Sequence, residues 1–364
     1  MSVTLISFVQ DRISSDSLKV LSQSYSGKVA TVTGGASFIG SHLVDCLINL
    51  GCKVQVIDDL SSGKSENLPD SDSLKFVRFD LRQKEGVDSL LSGSDYVFHL
   101  AAIHGGRGFI ETYKRELLAN VAIDNNVFSA AIANQVKCIV HASSACAYPI
   151  NLQESETTLN LLSEEMGSMA RPETSFPDGV YGWTKLFGEY QLENSVSGTS
   201  TRGRSARIFT AYGERENESH AAIALIAKAL LKADPYPVWG TGQQTRNFTY
   251  VADTVTGLLF LGSDTRDLAF DVFNIGTPDH IRVSDFINEI FSQIGWNTNY
   301  MDFQLDKPVG VSSRASNNKK IESVFNWAPT VSIQHGLLRT IQWYENSGLL
   351  PISLAALEDR LSAR

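Results

Sequence analysis

Tyr181 and Lys185 stand four residues apart in Tyr181-Gly-Trp-Thr-Lys185, a spacing that puts both side chains on one face of a helix. A nearby cation favours the tyrosinate form, and tyrosinate can take the proton of a hydroxyl while the carbon beneath it gives up hydride. The pair by itself is common, and its plain alternative is a surface tyrosine above a solvated lysine. Its weight comes from a second segment, Ser143-Ser144-Ala145-Cys146-Ala147-Tyr148-Pro149. There Ser144 can hydrogen-bond the reacting oxygen, and Cys146 is either a small buried hydrophobe or a thiolate able to remove a proton.

Hydride needs an acceptor, and an earlier stretch offers a place for one. Thr33-Gly34-Gly35-Ala36-Ser37-Phe38-Ile39-Gly40 follows an apolar run from Lys28 to Thr33 and precedes a helical pattern. Such a loop brings backbone N–H groups to a pyrophosphate at the positive end of a helix. Gly34, Ala36, Ser37, Phe38, Ile39 and Gly40 are therefore expected cofactor contacts. Ser37 stands where the common loop has its middle glycine, so the approach of backbone to phosphate is open to alteration there. Asp58 ends the next strand, where a carboxylate accepts bonds from the adenosine ribose hydroxyls and disfavours a 2′-phosphate. NAD is thus favoured over NADP. Asp80 and Leu81, after the third strand, and Leu100, Ala101 and Ala102, at the end of the fourth, complete the expected contacts together with Tyr181 and Lys185.

These groups need elements to position them. Apolar strands are expected over 28–33, 53–57, 75–79, 96–100, 138–142 and 205–209, alternating with helices over 41–50, 118–134 and 182–193. That alternation predicts an α/β fold: a Rossmann-type doubly wound parallel sheet, with a smaller C-terminal α/β substrate lobe after it. Ligands of such sheets sit at the carboxyl ends of the strands, where the Ser143–Pro149 segment begins. The expected division is a Ser-rich arm over 1–26, a mainly NAD-binding domain over 27–210, a mainly substrate-binding lobe over 211–350 interleaved with it, and a tail over 351–364. The later half carries helices over 221–232 and 283–294 and short strands near 236–239 and 271–275. Residues 151–177 read as a long polar loop.

Composition sets the outer bounds. Hydrophobic residues make up 43% and charged residues 20% of 364 residues, an ordinary globular balance. No uninterrupted apolar run reaches the roughly 18 residues of a membrane span, and the opening lacks the basic start of a signal peptide. A cytoplasmic protein with no membrane partner is expected. Cys46, Cys52, Cys138 and Cys146 lack metal-ligand spacing, so no metal is expected. The net charge is −9, with no basic run to suit nucleic acid. An anionic substrate must then be held by local donors.

From about Lys28 to Trp327 the set resembles the extended short-chain dehydrogenase/reductase superfamily, in its NAD-dependent epimerase/dehydratase branch. Within that branch four stretches are similar to those of the GDP-mannose 3,5-epimerases. They are His99-Leu-Ala-Ala-Ile-His-Gly105-Gly106-Arg107-Gly108-Phe109-Ile110, the Ser143–Pro149 segment, Trp239-Gly-Thr-Gly-Gln-Gln-Thr-Arg246-Asn-Phe-Thr-Tyr250, and Ser313-Arg-Ala-Ser-Asn-Asn318. The first two discriminate best, because ordinary 4-epimerases usually lack the glycine loop and the cysteine two positions after the serine.

The resemblance implies an NAD-dependent nucleotide-sugar epimerase in which Ser144, Tyr181 and Lys185 oxidise C4 transiently and Cys146 transfers a proton at the neighbouring carbon. The chemistry agrees, since a C4 ketone acidifies C3–H and C5–H. His220 falls where the family has a lysine as second acid, and Thr210 where it has a substrate-contacting asparagine. Gly105, Gly106, Arg107, Ser144, Thr210, Arg246 and Arg314 are the implied contacts to a nucleotide-diphosphate sugar, the arginines suiting phosphate. His104, on the glycine loop, is a further candidate to touch the sugar. A homodimer through helices near 110–134 and 182–193 is also implied. A UDP- or GDP-sugar 4-epimerase, a 4,6-dehydratase and an NAD-binding regulatory or scaffold protein remain alternatives.

Overall fold

The computed structural model describes residues 14–155, 157–169 and 176–362. Its main sheet has seven strands: β1 (Val29–Thr33), β2 (Lys53–Asp58), β3 (Leu74–Arg78), β4 (Tyr96–His99), β5 (Cys138–Ser144), β6 (Arg202–Ile208) and β7 (Phe270–Ile275). Their order is β7-β6-β5-β4-β1-β2-β3, and every neighbouring pair is parallel. Because a strand's side chains alternate between faces, a sheet covered on both sides reads as a continuous apolar run. Tyr96 and Phe98 of β4, Cys138 and Val140 of β5, and Val54 and Val56 of β2 enter one apolar cluster, while Val97, Ile139 and Ile57 enter the other.

Helices close both faces. On the first, α2 (Phe38–Asn49) buries Leu43, Val44 and Leu47. On the second, α3 (Ala119–Ala133) contributes Ile123, Val127 and Phe128, and α4 (Gly179–Val196) contributes Leu192 and Val196. Each such side chain stabilises the fold by about 1.5–3 kcal/mol, so the strand ends they fix are rigid ground for a site. β6 carries two buried arginines, and both are paired: Arg204 Nε lies 2.6 Å from Asp264 Oδ2, and Arg207 Nη2 lies 2.7 Å from Glu189 Oε2.

Two expectations change. The Ser-rich opening is not merely an arm from residue 14 onward, for Ser15–Tyr25 is a helix, α1, whose start is capped by Ser14 Oγ accepting from Ser17 N–H at 3.1 Å. Tyr25 is buried, donates from its hydroxyl to Leu259 O at 2.6 Å, and meets the Tyr96 ring edge-on. The sequence signal was thin because the helix buries just Leu21 and Tyr25 among serines. Residues 1–13 lie outside the described residues, as do 156 and 170–175 of the long polar loop. The second change concerns 271–275, assigned by position to the later half; β7 in fact returns to the main sheet and pairs with Gly203–Ile208 of β6. What leaves the sheet is 211–250 and 281–316, built from short strand pairs such as Thr245–Arg246 with Ile281–Arg282 and from helices Ala221–Leu230 and Val283–Ile294.

Candidate active site

At the carboxyl end of β1, Gly34 has φ +70°, and a Cβ there would lie 2.8 Å from Ala101 N. An L side chain is therefore excluded twice, by conformation and by the passing backbone. Gly40 packs against the Gly34 carbonyl with no room for a Cβ. The loop thus folds tightly onto the start of α2, leaving its first N–H groups free to meet an anion. Ser37 has φ −87° and ψ −178°, an extended geometry open to any residue. Its departure from glycine consequently costs no backbone strain.

Asp58 ends β2 and is 5% exposed. Its Oδ2 accepts from Ala36 N–H at 3.0 Å and its Oδ1 from Leu60 N–H at 2.8 Å. Burial pushes the carboxyl up and these two N–H groups pull it back, the burial being the stronger. Each oxygen keeps lone-pair capacity for a hydroxyl, and Gly63 leaves open a cradle that a Cβ would fill 2.9 Å from Oδ2. Leu100 and Ala101 are tied to β1, their N–H groups donating to Thr33 O at 3.1 Å and Thr33 Oγ1 at 3.2 Å; Ala102 follows them. Asp80 is held by Arg82, with Nη2 to Oδ2 at 2.7 Å. Leu81 buries its side chain in the core, and its carbonyl accepts from Asn126 Nδ2–H at 3.0 Å. These residues fit the adenosine and pyrophosphate of NAD.

At the end of β5 the chain makes a tight turn over Ala145–Ala147, with Cys146 N–H donating to Ser144 Oγ at 3.1 Å. The start of α4 presses on this turn. Asp178 N–H donates to Cys146 O at 2.8 Å, and at 182 a Cβ would run into the same carbonyl, so the glycine after Tyr181 is a packing requirement. This contact sets the Tyr181 phenol beside Ser144, whose hydroxyl favours the tyrosinate. Lys185 is buried, donates from Nζ to Ala142 O at 2.8 Å, and lies 5.9 Å from the centre of the Tyr181 ring. Burial pulls the Lys185 ammonium down, against Asp124 and Glu189.

The expected depression of the phenol is not what the protein's own groups produce. Burial, then the Cys146 and Asp124 charges, push Tyr181 well above its ordinary value, and the Ser144 hydroxyl offsets little of that.

Beneath this pair lies a buried polar network that sequence reasoning missed. His99 Nδ1 is 2.7 Å from Thr33 Oγ1, and its Nε2 is 3.0 Å from Asp124 Oδ1; His141 Nε2 is 3.7 Å from Asp124 Oδ2. Burial disfavours the Asp124 carboxylate, but the His99 bond, His141 and Lys185 outweigh it and hold its pKa low. The available signal was a lone acid on the apolar face of α3.

Three arginines expected at the substrate gather around Asp178. Arg107 Nη1 reaches both Asp178 oxygens at 2.9 Å, and Arg314 Nη2 reaches Oδ2 at 3.0 Å. Arg314 also donates from Nε to Gln153 Oε1 at 2.6 Å and from Nη1 to Cys146 Sγ at 3.4 Å. Arg246 donates to the Thr245 and Val309 carbonyls at 2.7 Å each. Burial and the Arg314 charge pull its pKa down to about 9, the mark of a cation that an anion would relieve. Asp178 and Gln153, which aim these arginines, were also missed. Asp178 stands just before α4, three residues ahead of Tyr181, which was its one signal.

The glycine loop reaches across to the lobe. Gly105 packs on the Phe109 ring and Gly106 on the Ser219 carbonyl, so close that neither admits a Cβ. His220, the next residue, has Nδ1 3.3 Å from Glu216 Oε1. Thr210 lies past the end of β6, its carbonyl accepting from Thr249 N–H at 2.8 Å. Among the described residues no helix is long and apolar enough to cross a membrane.

A family model for the NAD dependent epimerase/dehydratase family matches residues 30–276, the span that contains the seven-stranded sheet. The chain is 31% identical over 325 residues to GDP-mannose 3,5-epimerase 1 of Oryza sativa subsp. japonica, covering 86% of this chain and 80% of that one. It is 27% identical over 334 residues to UDP-N-acetyl-alpha-D-glucosaminuronate decarboxylase of Bacillus cytotoxicus, covering 87% and 98%. Among solved structures it resembles UDP-glucuronic acid 4-epimerase from Bacillus cereus in complex with UDP-glucuronic acid and NAD, with TM-score 0.78, 26% identity and coverage of 88% and 99%.

Proposed function

From its membership of the NAD-dependent epimerase/dehydratase family, we propose that this chain is a nucleotide-sugar epimerase of the GDP-mannose 3,5-epimerase kind. It oxidises C4 of the sugar transiently and moves a proton at C3, C5 or both. The observation that carries the reading is the contact of Arg314 with Cys146 beside the Ser144–Tyr181 pair. A thiol at this place has a role in proton transfer next to C4, and a guanidinium on its sulfur gives the thiolate a charge-assisted partner.

The geometry supports a division of labour. Arg107, Arg246 and Arg314 hold the diphosphate end, with Gly105 and Gly106 letting backbone approach the sugar and Thr210 beside it. Bound NAD supplies the hydride acceptor and donor, and its positive nicotinamide favours tyrosinate. Tyr181 takes the C4 hydroxyl proton, Ser144 hydrogen-bonds that oxygen, and Lys185 keeps a positive charge beneath the ring. Cys146 removes the proton that the C4 ketone has acidified, and His220 is the second acid. Tyr181 then returns its proton as C4 is reduced, so the cycle is redox-neutral.

The test is product analysis with a panel of GDP- and UDP-sugars. Inversion at C3 or C5 is the expected result; inversion at C4 alone, or release of carbon dioxide from a uronate, overturns it. We also propose a homodimer through α3 and α4, since Trp183 and Tyr190 are 43% and 46% exposed and follow one another along α4 with Phe187 between them. Light scattering should give twice the chain mass; a monomer at micromolar concentration contradicts that assignment.

A further inference from the structure

His104 was noted above as a loop residue near the sugar, and no role has been given to it. Its ring stacks on that of His220, with centroids 5.8 Å apart and planes 26° apart. His220 in turn faces Glu216 Oε1 at 3.3 Å. Glu216 is 5% exposed. The two histidines come from different elements, and the packing of Gly106 on the Ser219 carbonyl locks those elements together.

The pair also stands near the chemistry. His104 stands three positions before Arg107, at most about 10 Å of chain. Arg107 leads through Asp178 and Arg314 to Cys146. The glycine loop thus has the histidine pair at one end and the arginine–cysteine cluster at the other. Two imidazoles stacked face to face can hand a proton from one ring to the other, and Glu216 Oε1 orients the His220 ring from its far side. His104 is exposed, whereas the His220 side chain is 24% exposed. One ring therefore meets water and the other meets the interior.

We infer that His104 and His220 work as a single acid–base unit, with His104 the residue through which His220 exchanges its proton with water. The inference rests on the proposed proton transfer at C3 or C5. In that step Cys146 thiolate takes the carbon-bound proton, and the electron pair spreads into an enolate with the C4 carbonyl. Protonated His220 then delivers a proton to the carbon, leaving a neutral imidazole. His104 passes a solvent proton to it, and the Cys146 thiol returns its own to solvent. One proton enters and one leaves, and nothing is oxidised.

The experiment uses two variants of the full chain loaded with NAD. His104→Phe keeps a stacking ring that cannot titrate, and His104→Ala leaves space for added imidazole. Both should lower inversion in deuterated water by about 10²-fold, the usual worth of acid–base catalysis. Reduction of bound NAD by substrate, read from nicotinamide absorbance in a single turnover, should stay within about twofold. Imidazole should restore part of the His104→Ala rate. Wild-type inversion in His104→Phe would show that the ring merely packs, and loss of NAD reduction in both variants would show a structural role; either overturns the inference. Absence of deuterium at C3 and C5 with the unaltered protein would instead bring down the proposed function itself.

Discussion

The cofactor end and the substrate end of this site are built differently. At the cofactor end, Gly34, Gly40 and Asp58 belong to one continuous strand–loop–helix–strand unit, and the Asp58 carboxylate is aimed by N–H groups of Ala36 and Leu60, 22 and 2 residues away. At the substrate end, Arg314 meets Cys146 across 168 residues and Asp178 across 136, and Arg107 meets Asp178 across 71. Backbone geometry makes the first, and side-chain charge from separate loops makes the second. A fold can therefore keep its cofactor while the lobe and loops change which sugar is held and which proton is moved.

That contrast predicts separable losses. The largest belongs to Tyr181→Phe, which removes the phenolic proton acceptor; turnover should fall by about 10³-fold while NAD affinity, measured by calorimetry, changes little. A parallel loss of NAD binding would break the contrast. Next, Arg246→Ala removes a half-buried guanidinium from the proposed diphosphate cluster. Charged hydrogen bonds are worth about 1.5–3 kcal/mol, so KM for the sugar nucleotide should rise by up to about 100-fold with kcat less affected. An unchanged KM would place the diphosphate elsewhere. Smaller again, Asp58→Ala should weaken NAD binding by about tenfold and leave the affinity for sugar nucleotide, measured in the NAD-saturated protein, where it was.

A last effect, on stability and not on activity, concerns the scaffold common to both ends. Burial, then the Arg215 charge, pulls His42 down to about 3; burial pulls His141 down to about 3 against the attraction of Asp124. Below about pH 6.5 the unfolded chain binds protons that the folded histidines refuse, so stability is lost as pH falls from there towards 3. Each histidine adds a slope of about 1.4 kcal/mol per pH unit. Denaturant titrations at stepped pH should show it, and His141→Phe should flatten the slope by its share. A profile flat from pH 7 to 4 would contradict the buried, neutral state of both rings.

The same contrast explains what was legible in the sequence. The parallel sheet, the Gly34–Gly40 loop, Asp58 and the Tyr181–Lys185 spacing are local patterns, and the structure places each at a strand end or helix start. Asp178 and Gln153 carry no local pattern, because their work is to hold Arg314 across 136 and 161 residues. Asp124 looked like any helix acid until its partners, His99 and His141, arrived from two other strands. The Tyr181 phenol was misjudged for a related reason: the adjacent lysine is visible in the spacing, whereas the burial that dominates is a property of the packed fold.

The most direct measurement is proton NMR of the NAD-loaded protein turning over its sugar nucleotide in deuterated water, side by side with Cys146→Ala. The account predicts deuterium at C3 or C5 with the unaltered protein and at least about a 10²-fold slower uptake in the variant, with C4 oxidation retained. Inversion at C4 without deuterium, or equal deuterium uptake in both proteins, would contradict it.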